Sequence, residues 1–232
     1  MQKVYTLTNL YYDGDSFSCS LPENQSITTG HVLAHKLNYR LDHYGHNGKT
    51  VDKIIRNSMR YSWENTDCYM CIGVGVVNRL EAHNDNPQTV YPYKNYAQEH
   101  CVKTVKVEDV NYKNIEMFND QYLQISTLYK LIALHDFLLY NKHKFVIHNL
   151  GYNYMGKDGD DISSFAFAQG VEQQMRSRPR LLNFFEDSFH ELCKQHNLKP
   201  WDYDQYGWNG HPDEHGHSMY ADYLLEKVKH YE

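Results

Sequence analysis

The chain has 232 residues, 41% of them hydrophobic and 22% charged, enough for one sizeable core and too few for two full domains, so a single domain over 1–232 is expected. Its net charge of -6 and pI near 6.2 argue against capture of nucleic acid or an anionic membrane surface and favour a neutral or polar substrate. The five cysteines, Cys19, Cys68, Cys71, Cys101 and Cys193, are odd in number and scattered, which argues against a disulfide framework; Cys68 and Cys71 lie in an apolar run and read as buried thiols.

Val4 to Leu10 alternates like a strand and breaks at Tyr11-Tyr12-Asp13-Gly14-Asp15-Ser16, which predicts a strand, a tight turn carrying Ser16, and a helix start. Thr28 or Thr29 can cap a helix with Val32, Leu33 and Leu37 on one face. Arg40 to Tyr44 reads as a second strand, and Gly45 to Thr50 as a turn into a helix over Val51 to Arg60. The continuous apolar run Cys68 to Val77 suits a strand buried on both faces of a parallel sheet. Residues 78–120 are irregular and polar, an insertion or long loop suited to substrate or partner contacts.

Gln121 to Lys142 carries the longest helical stripe, and Phe145 to Ile147 reads as the fourth strand, with Asn149 at its end. Gly151 to Ser177 is polar and glycine-rich. Arg180 to His196 has a helical period through Leu181, Phe184, Phe185, Phe189 and Leu192, Lys199 to Asp202 leads the chain back, and His217 to Tyr231 forms a last helix. Strands alternating with helices predict a three-layer α/β/α sandwich around a mostly parallel, five-stranded, flavodoxin-like sheet. Sites in such sheets lie beyond the carboxyl ends of the strands, where Ser16, Gly48, the Gly75 to Asn78 turn and Asn149 would line one rim.

Gly14-Asp15-Ser16-Phe17 follows the first strand, and His211-Pro212-Asp213-Glu214-His215-Gly216-His217 precedes the last helix. Taken alone, Gly-Asp-Ser is an ordinary turn with a helix cap. In this order the two segments resemble the SGNH (GDSL-like) hydrolases, whose first block reads G-D-S and whose last carries a histidine, often as H-P. The resemblance assigns the nucleophile to Ser16 and the base to His211; a serine hydroxyl needs such a base, and a helix start supplies N–H groups to an oxyanion. It also implies an oxyanion hole built from Ser16, Gly48 in the Gly45 to Thr50 segment, and Asn78.

Two departures stand out. The family's third block reads G-x-N-D, whereas here the strand ends Gly73-Val74-Gly75-Val76-Val77-Asn78, so either Asn78 reaches the hole or the backbone of Gly75 and Val76 replaces it. The family's acid lies two or three residues before the histidine, where this chain has Asn209 and Trp208; Asn209 could accept the imidazole proton as an amide, or Asp204 or Asp213 could supply the carboxylate. His211, His215 and His217 could also be read as metal ligands, but the intervening Pro212 and Gly216 favour a loop, so no metal and no cofactor is expected. Tyr11, Tyr12, Tyr152 and Tyr154 flank the expected site and could stack on sugar rings.

The resemblance thus implies a serine esterase acting through an acyl-serine intermediate on a small ester, with an O-acetyl group on a carbohydrate as the substrate class. The alternative is an inactive protein of the same fold, a glycan-binding or structural component of a larger particle such as a virion, with partners reached through 78–120. The N-terminus lacks a signal-peptide pattern and no run is long enough to span a membrane, so a protein of the cytoplasm or of a virion is expected.

Overall fold

The computed structural model describes residues 8–15, 17–18, 27–45, 49–75, 79–83, 102–106, 120–151, 166–185 and 188–231. The elements run β1 (Asn9–Asp13), α1 (Thr29–Leu37), β2 (Arg40–His43), α2 (Val51–Glu64), β3 (Cys68–Val74), β4 (Arg79–His83), β5 (Val102–Lys106), α3 (Asp120–Tyr140), β6 (Lys144–Asn149), α4 (Ala166–Arg176), β7 (Leu181–Leu182), α5 (Phe189–Gln195), α6 (Tyr203–Tyr206), a 3-10 turn (Gly207–Asn209) and α7 (Glu214–His230). Five strands form one sheet in the order β2-β1-β3-β6-β7, and every pairing in it is parallel. β4 and β5 pair antiparallel as a separate ribbon inside the expected insertion.

The period-two geometry of strands explains the layers. Along β3, which is buried throughout, Met70, Ile72 and Val74 face α2, α3 and α4. Tyr69 and Cys71 face the other way, against α1, α5 and α7. β1 divides likewise, with Tyr11 in the first layer and Leu10 and Tyr12 in the second. Each fully buried Leu, Ile, Val or Phe in these layers contributes about 1.5–3 kcal/mol of apolar transfer energy. The sheet is therefore the central layer of an α/β/α sandwich, as the alternating pattern predicts.

Local chemistry sets several element ends. Thr50 Oγ1 accepts the Lys53 N–H at 3.1 Å to start α2, Ser188 caps α5 by accepting from Glu191 N, and Asp213 Oδ1 accepts from Gly216 N at 2.8 Å to start α7. Lys227, Lys229 and His230 place cationic or titratable groups at the negative end of α7. Cys68, Cys71 and Cys193 are buried free thiols, and burial pushes Cys68 up to about 11 and Cys193 up to about 12.

The structure corrects four expectations. β1 continues through Tyr11, Tyr12 and Asp13, because both tyrosine rings fill core layers and cannot lie in a turn. The helical period expected over Arg180 to His196 is split. Leu181 and Leu182 instead form the fifth strand beside β6, Asn183 turns the chain with a positive φ of 51°, and the helix begins only after Ser188. α4 occupies part of the segment Gly151 to Ser177, read from sequence as polar and glycine-rich. Residues 78–120 hold the β4–β5 ribbon. Among the described residues no helix is long and apolar enough to cross a membrane.

Candidate active site

The strand order changes direction at β1: the chain leaves β1 for β2 on one side and returns to β3 on the other. Parallel sheets open a crevice at the carboxyl end of such a strand, and Gly14 to Ser18 follow β1 there. Asp15 is 1% exposed; its Oδ1 accepts the Phe17 N–H at 3.1 Å and its carbonyl accepts the Ser18 N–H at 3.0 Å. The chain is thereby fixed on either side of Ser16, which itself lies outside the described residues. The residue directly after β3 makes room for Asp15 by being glycine: a Cβ on Gly75 would fall 1.8 Å from Asp15 Oδ2. Gly75 is thus explained by the close approach of Asp15, while Gly73 leaves room for Leu150, whose Cδ1 would lie 2.5 Å from a Cβ there.

His211 stands over the same turn. Its ring lies 5.1 Å from that of Phe17, the residue after Ser16, at an interplanar angle of 29°, and the edge of His190 packs on Phe17 at 4.5 Å. Asp202 holds the histidine twice, with Oδ1 accepting the His211 backbone N–H at 2.7 Å and Oδ2 lying 2.7 Å from Nδ1. A carboxylate at Nδ1 selects the tautomer protonated there and puts the acceptor lone pair on Nε2, as a general base requires. The Asp202 side chain is 4% exposed and that of His211 23% exposed, so the charge is sheltered while the imidazole still reaches the surface.

The loop is built around this contact. Trp201 N–H donates to His211 O at 3.1 Å, closing residues 201–211 on themselves. A Cβ on Gly210 would sit 2.1 Å from Asp202 Oδ1, so only glycine lets the backbone before His211 approach the carboxylate this closely. Trp201 is half exposed and its ring lies 6.1 Å from that of His211 at 25°.

Asp202 is the carboxylate found at His211 Nδ1, and sequence spacing missed it. Neither expected substitute is there: Asp204 lies exposed in the first turn of α6, and Asp213 is engaged as the cap of α7. Asn209 closes the 3-10 turn, and the Nδ1 contact expected of its amide belongs to Asp202. Asp202 precedes His211 by nine positions because α6 and the 3-10 turn lie between them. The signals available in sequence were Gly210 before the histidine and an aspartate directly after Pro200-Trp201.

Gly48 and Asn78, the other expected oxyanion contributors, lie outside the described residues, as do Tyr152 and Tyr154. Tyr11 and Tyr12 are fully buried, so they support the site from below and present no face to a sugar. Asn149 is also internal; its N–H donates to Asn183 Oδ1 at 3.1 Å and its Oδ1 accepts from Gly151 N. The three terminal histidines have separate partners: Asp202 for His211, Asp213 for the exposed His215, and Thr29, which donates its N–H to Nδ1 of buried His217 at 3.2 Å. Among the described residues, no group of histidine, cysteine, aspartate and glutamate side chains is arranged to hold a metal.

Fold and site together define an α/β/α chain with a parallel five-stranded sheet and a histidine-aspartate pair packed on Phe17, beyond the carboxyl end of β1. No family profile and no curated protein sequence matches the chain. Solved structures do. The esterase EstA from Pseudoalteromonas sp. shares 12% identity over 96% of this chain and 97% of its own, with a TM-score of 0.53. A G-D-S-L family protein from Desulfitobacterium hafniense DCB-2 shares 13% identity over 95% and 99%, with a TM-score of 0.50. The acetyl xylan esterase AlAXEase shares 12% identity over 95% and 99%, with a TM-score of 0.53. At such identities the likeness establishes the fold.

Proposed function

We propose that the chain is a serine esterase that removes an O-acetyl group from a carbohydrate. The single observation that carries the reading is Asp202 seated on His211 Nδ1 with the His211 ring over Phe17. Ser16 Oγ attacks the acetyl carbonyl carbon while His211 Nε2 takes its proton, and the negative oxygen is received by N–H groups of Ser16 and Gly48 and by Asn78. Collapse expels the sugar hydroxyl, which takes the proton back from His211. Water then attacks the acyl-serine with His211 as base, releasing acetate and restoring Ser16. Asp202 holds the ring and offsets the imidazolium charge in both steps.

The carbohydrate preference draws on the exposed face of Trp201 beside the base, where a sugar ring can stack, and on the acetyl xylan esterase of like fold. The alternative of a catalytically weak or inactive protein rests on the missing acid, the altered third block and the insertion at 78–120; Asp202 on His211 Nδ1 supports the active reading on the first of these grounds alone. The test is acetate release from O-acetylated xylo-oligosaccharides, followed by proton NMR beside a Ser16→Ala control. Release that Ser16→Ala abolishes supports the reading, and acetate no faster than in the control contradicts it.

A further inference from the structure

Asp13 and Lys49 form an ion pair that neither the hydrolytic chemistry nor the family resemblance uses, and both are buried: Asp13 is 0% and Lys49 3% exposed. Asp13 ends β1, three residues before Ser16, and Lys49 directly follows Gly48. Among the described residues, three donors reach the carboxylate. Tyr11 Oη donates to Oδ2 at 2.7 Å, the Gly14 N–H donates to Oδ1 at 2.7 Å, and Lys49 Nζ donates to Oδ1.

The same ammonium donates to Tyr44 O at 2.6 Å. The Tyr44 N–H in turn donates to Tyr12 O at 2.8 Å, so Tyr44 and Lys49 are both tied to the end of β1. Gly45 is pressed onto the nucleophile turn, since a Cβ there would lie 3.0 Å from Ser18 O. Burial pushes the Asp13 carboxyl up and the Lys49 ammonium down, and their mutual attraction opposes both shifts.

A buried ion pair is weak evidence for stability, because desolvation of both charges offsets their attraction and neutral replacements are often equally stable. A carboxylate and an ammonium at this place have another use, since they fix two loops relative to each other with directional bonds. The geometry points to Asp13 and Lys49 as a positioning pair, which ties Tyr44 and Lys49 to the end of β1, the strand that leads into Ser16, and so holds in register the oxyanion donors that the esterase reading requires. This role rests on the serine-esterase reading. It concerns the rate of acylation and not the binding of the ester.

The test is the paired variant Asp13→Asn with Lys49→Met, which keeps side-chain volume and leaves no unpaired buried charge. The readouts are the rate of fluorophosphonate labelling at Ser16, kcat and KM for p-nitrophenyl acetate, and the melting temperature. The pair should keep its fold and its KM while labelling rate and kcat fall about tenfold to hundredfold, the cost of misplacing reacting groups by a fraction of an ångström to an ångström. A folded pair variant with wild-type labelling rate and kcat overturns the role. Should the pair fail to fold, Tyr11→Phe removes one Asp13 donor alone; kcat lower by about threefold at constant KM supports the clamp, as one hydrogen bond of support would give, and unchanged kcat overturns it. If the wild-type chain itself does not label, the esterase reading fails and the clamp falls with it, an outcome distinct from a labelling wild type with an unaffected pair.

Discussion

Asp202→Asn isolates what the carboxylate does. Asp202 accepts two hydrogen bonds, from the backbone N–H and from Nδ1 of His211, both at 2.7 Å. Asparagine has one acceptor oxygen. If that oxygen stays on the backbone N–H, the amide NH₂ faces Nδ1 and drives the ring proton to Nε2, the atom that must accept from Ser16. Even in the other orientation the imidazolium loses its counter-charge in a site where Asp202 is almost fully buried. The matching swap in a serine protease costs ~10⁴-fold in turnover, so a loss of about 10³- to 10⁴-fold in kcat, or roughly 4–5.5 kcal/mol of barrier, is expected here. Stopped assays with p-nitrophenyl acetate and thermal denaturation of the same sample provide the check. A folded Asp202→Asn protein that loses less than tenfold would refute the assignment, as would an equal loss in Asp204→Asn.

Asp213→Ala should lower stability by about 1 kcal/mol through loss of the α7 cap, seen as a reduced urea midpoint, while activity per folded molecule persists. Gly75→Ala should cost about 1–3 kcal/mol through overpacking and depress kcat, because its methyl would occupy the place of the Asp15 carboxylate; crystallography or paired stability and rate measurements would show both. Trp201→Ala should raise KM for an acetylated oligosaccharide and leave p-nitrophenyl acetate hydrolysis nearly unchanged; equal effects on both would remove the indole from sugar binding. Burial lowers His148 to about 3 and His190 and His217 to about 4, from 6.5. The unfolded chain therefore binds these protons first, so stability is fully present above about pH 6.5 and falls as pH drops toward 4, each group contributing up to ~1.4 kcal/mol per pH unit. Urea midpoints between pH 7 and 4.5 test the slope, which His217→Gln should flatten.

The sandwich was readable because β3 is an uninterrupted apolar run and the amphipathic helices carry regular stripes. β7 was not, because its two residues are too short to show a period and Leu181, Phe184, Phe185, Phe189 and Leu192 happen to match a helix across the break at Asn183. The order of the blocks singled out His211, whose ring the structure sets against Phe17, while Ser16 lies outside the described residues. Asp202 could not be placed by spacing, since the contact is made by a loop that folds back over Gly210. Tyr11 and Tyr12 misled for a related reason: aromatic residues beside a cleft carry the same sequence signal whether they face solvent or, as here, the two core layers.

The central claim is that His211 and Asp202 activate Ser16. Fluorophosphonate labelling of the intact protein, mapped to residue by mass spectrometry and repeated with His211→Ala and Asp202→Asn, tests it most directly. A single label is expected at Ser16, lost in His211→Ala and greatly slowed in Asp202→Asn. A folded wild-type protein that does not label, or one whose label is indifferent to His211, would contradict it.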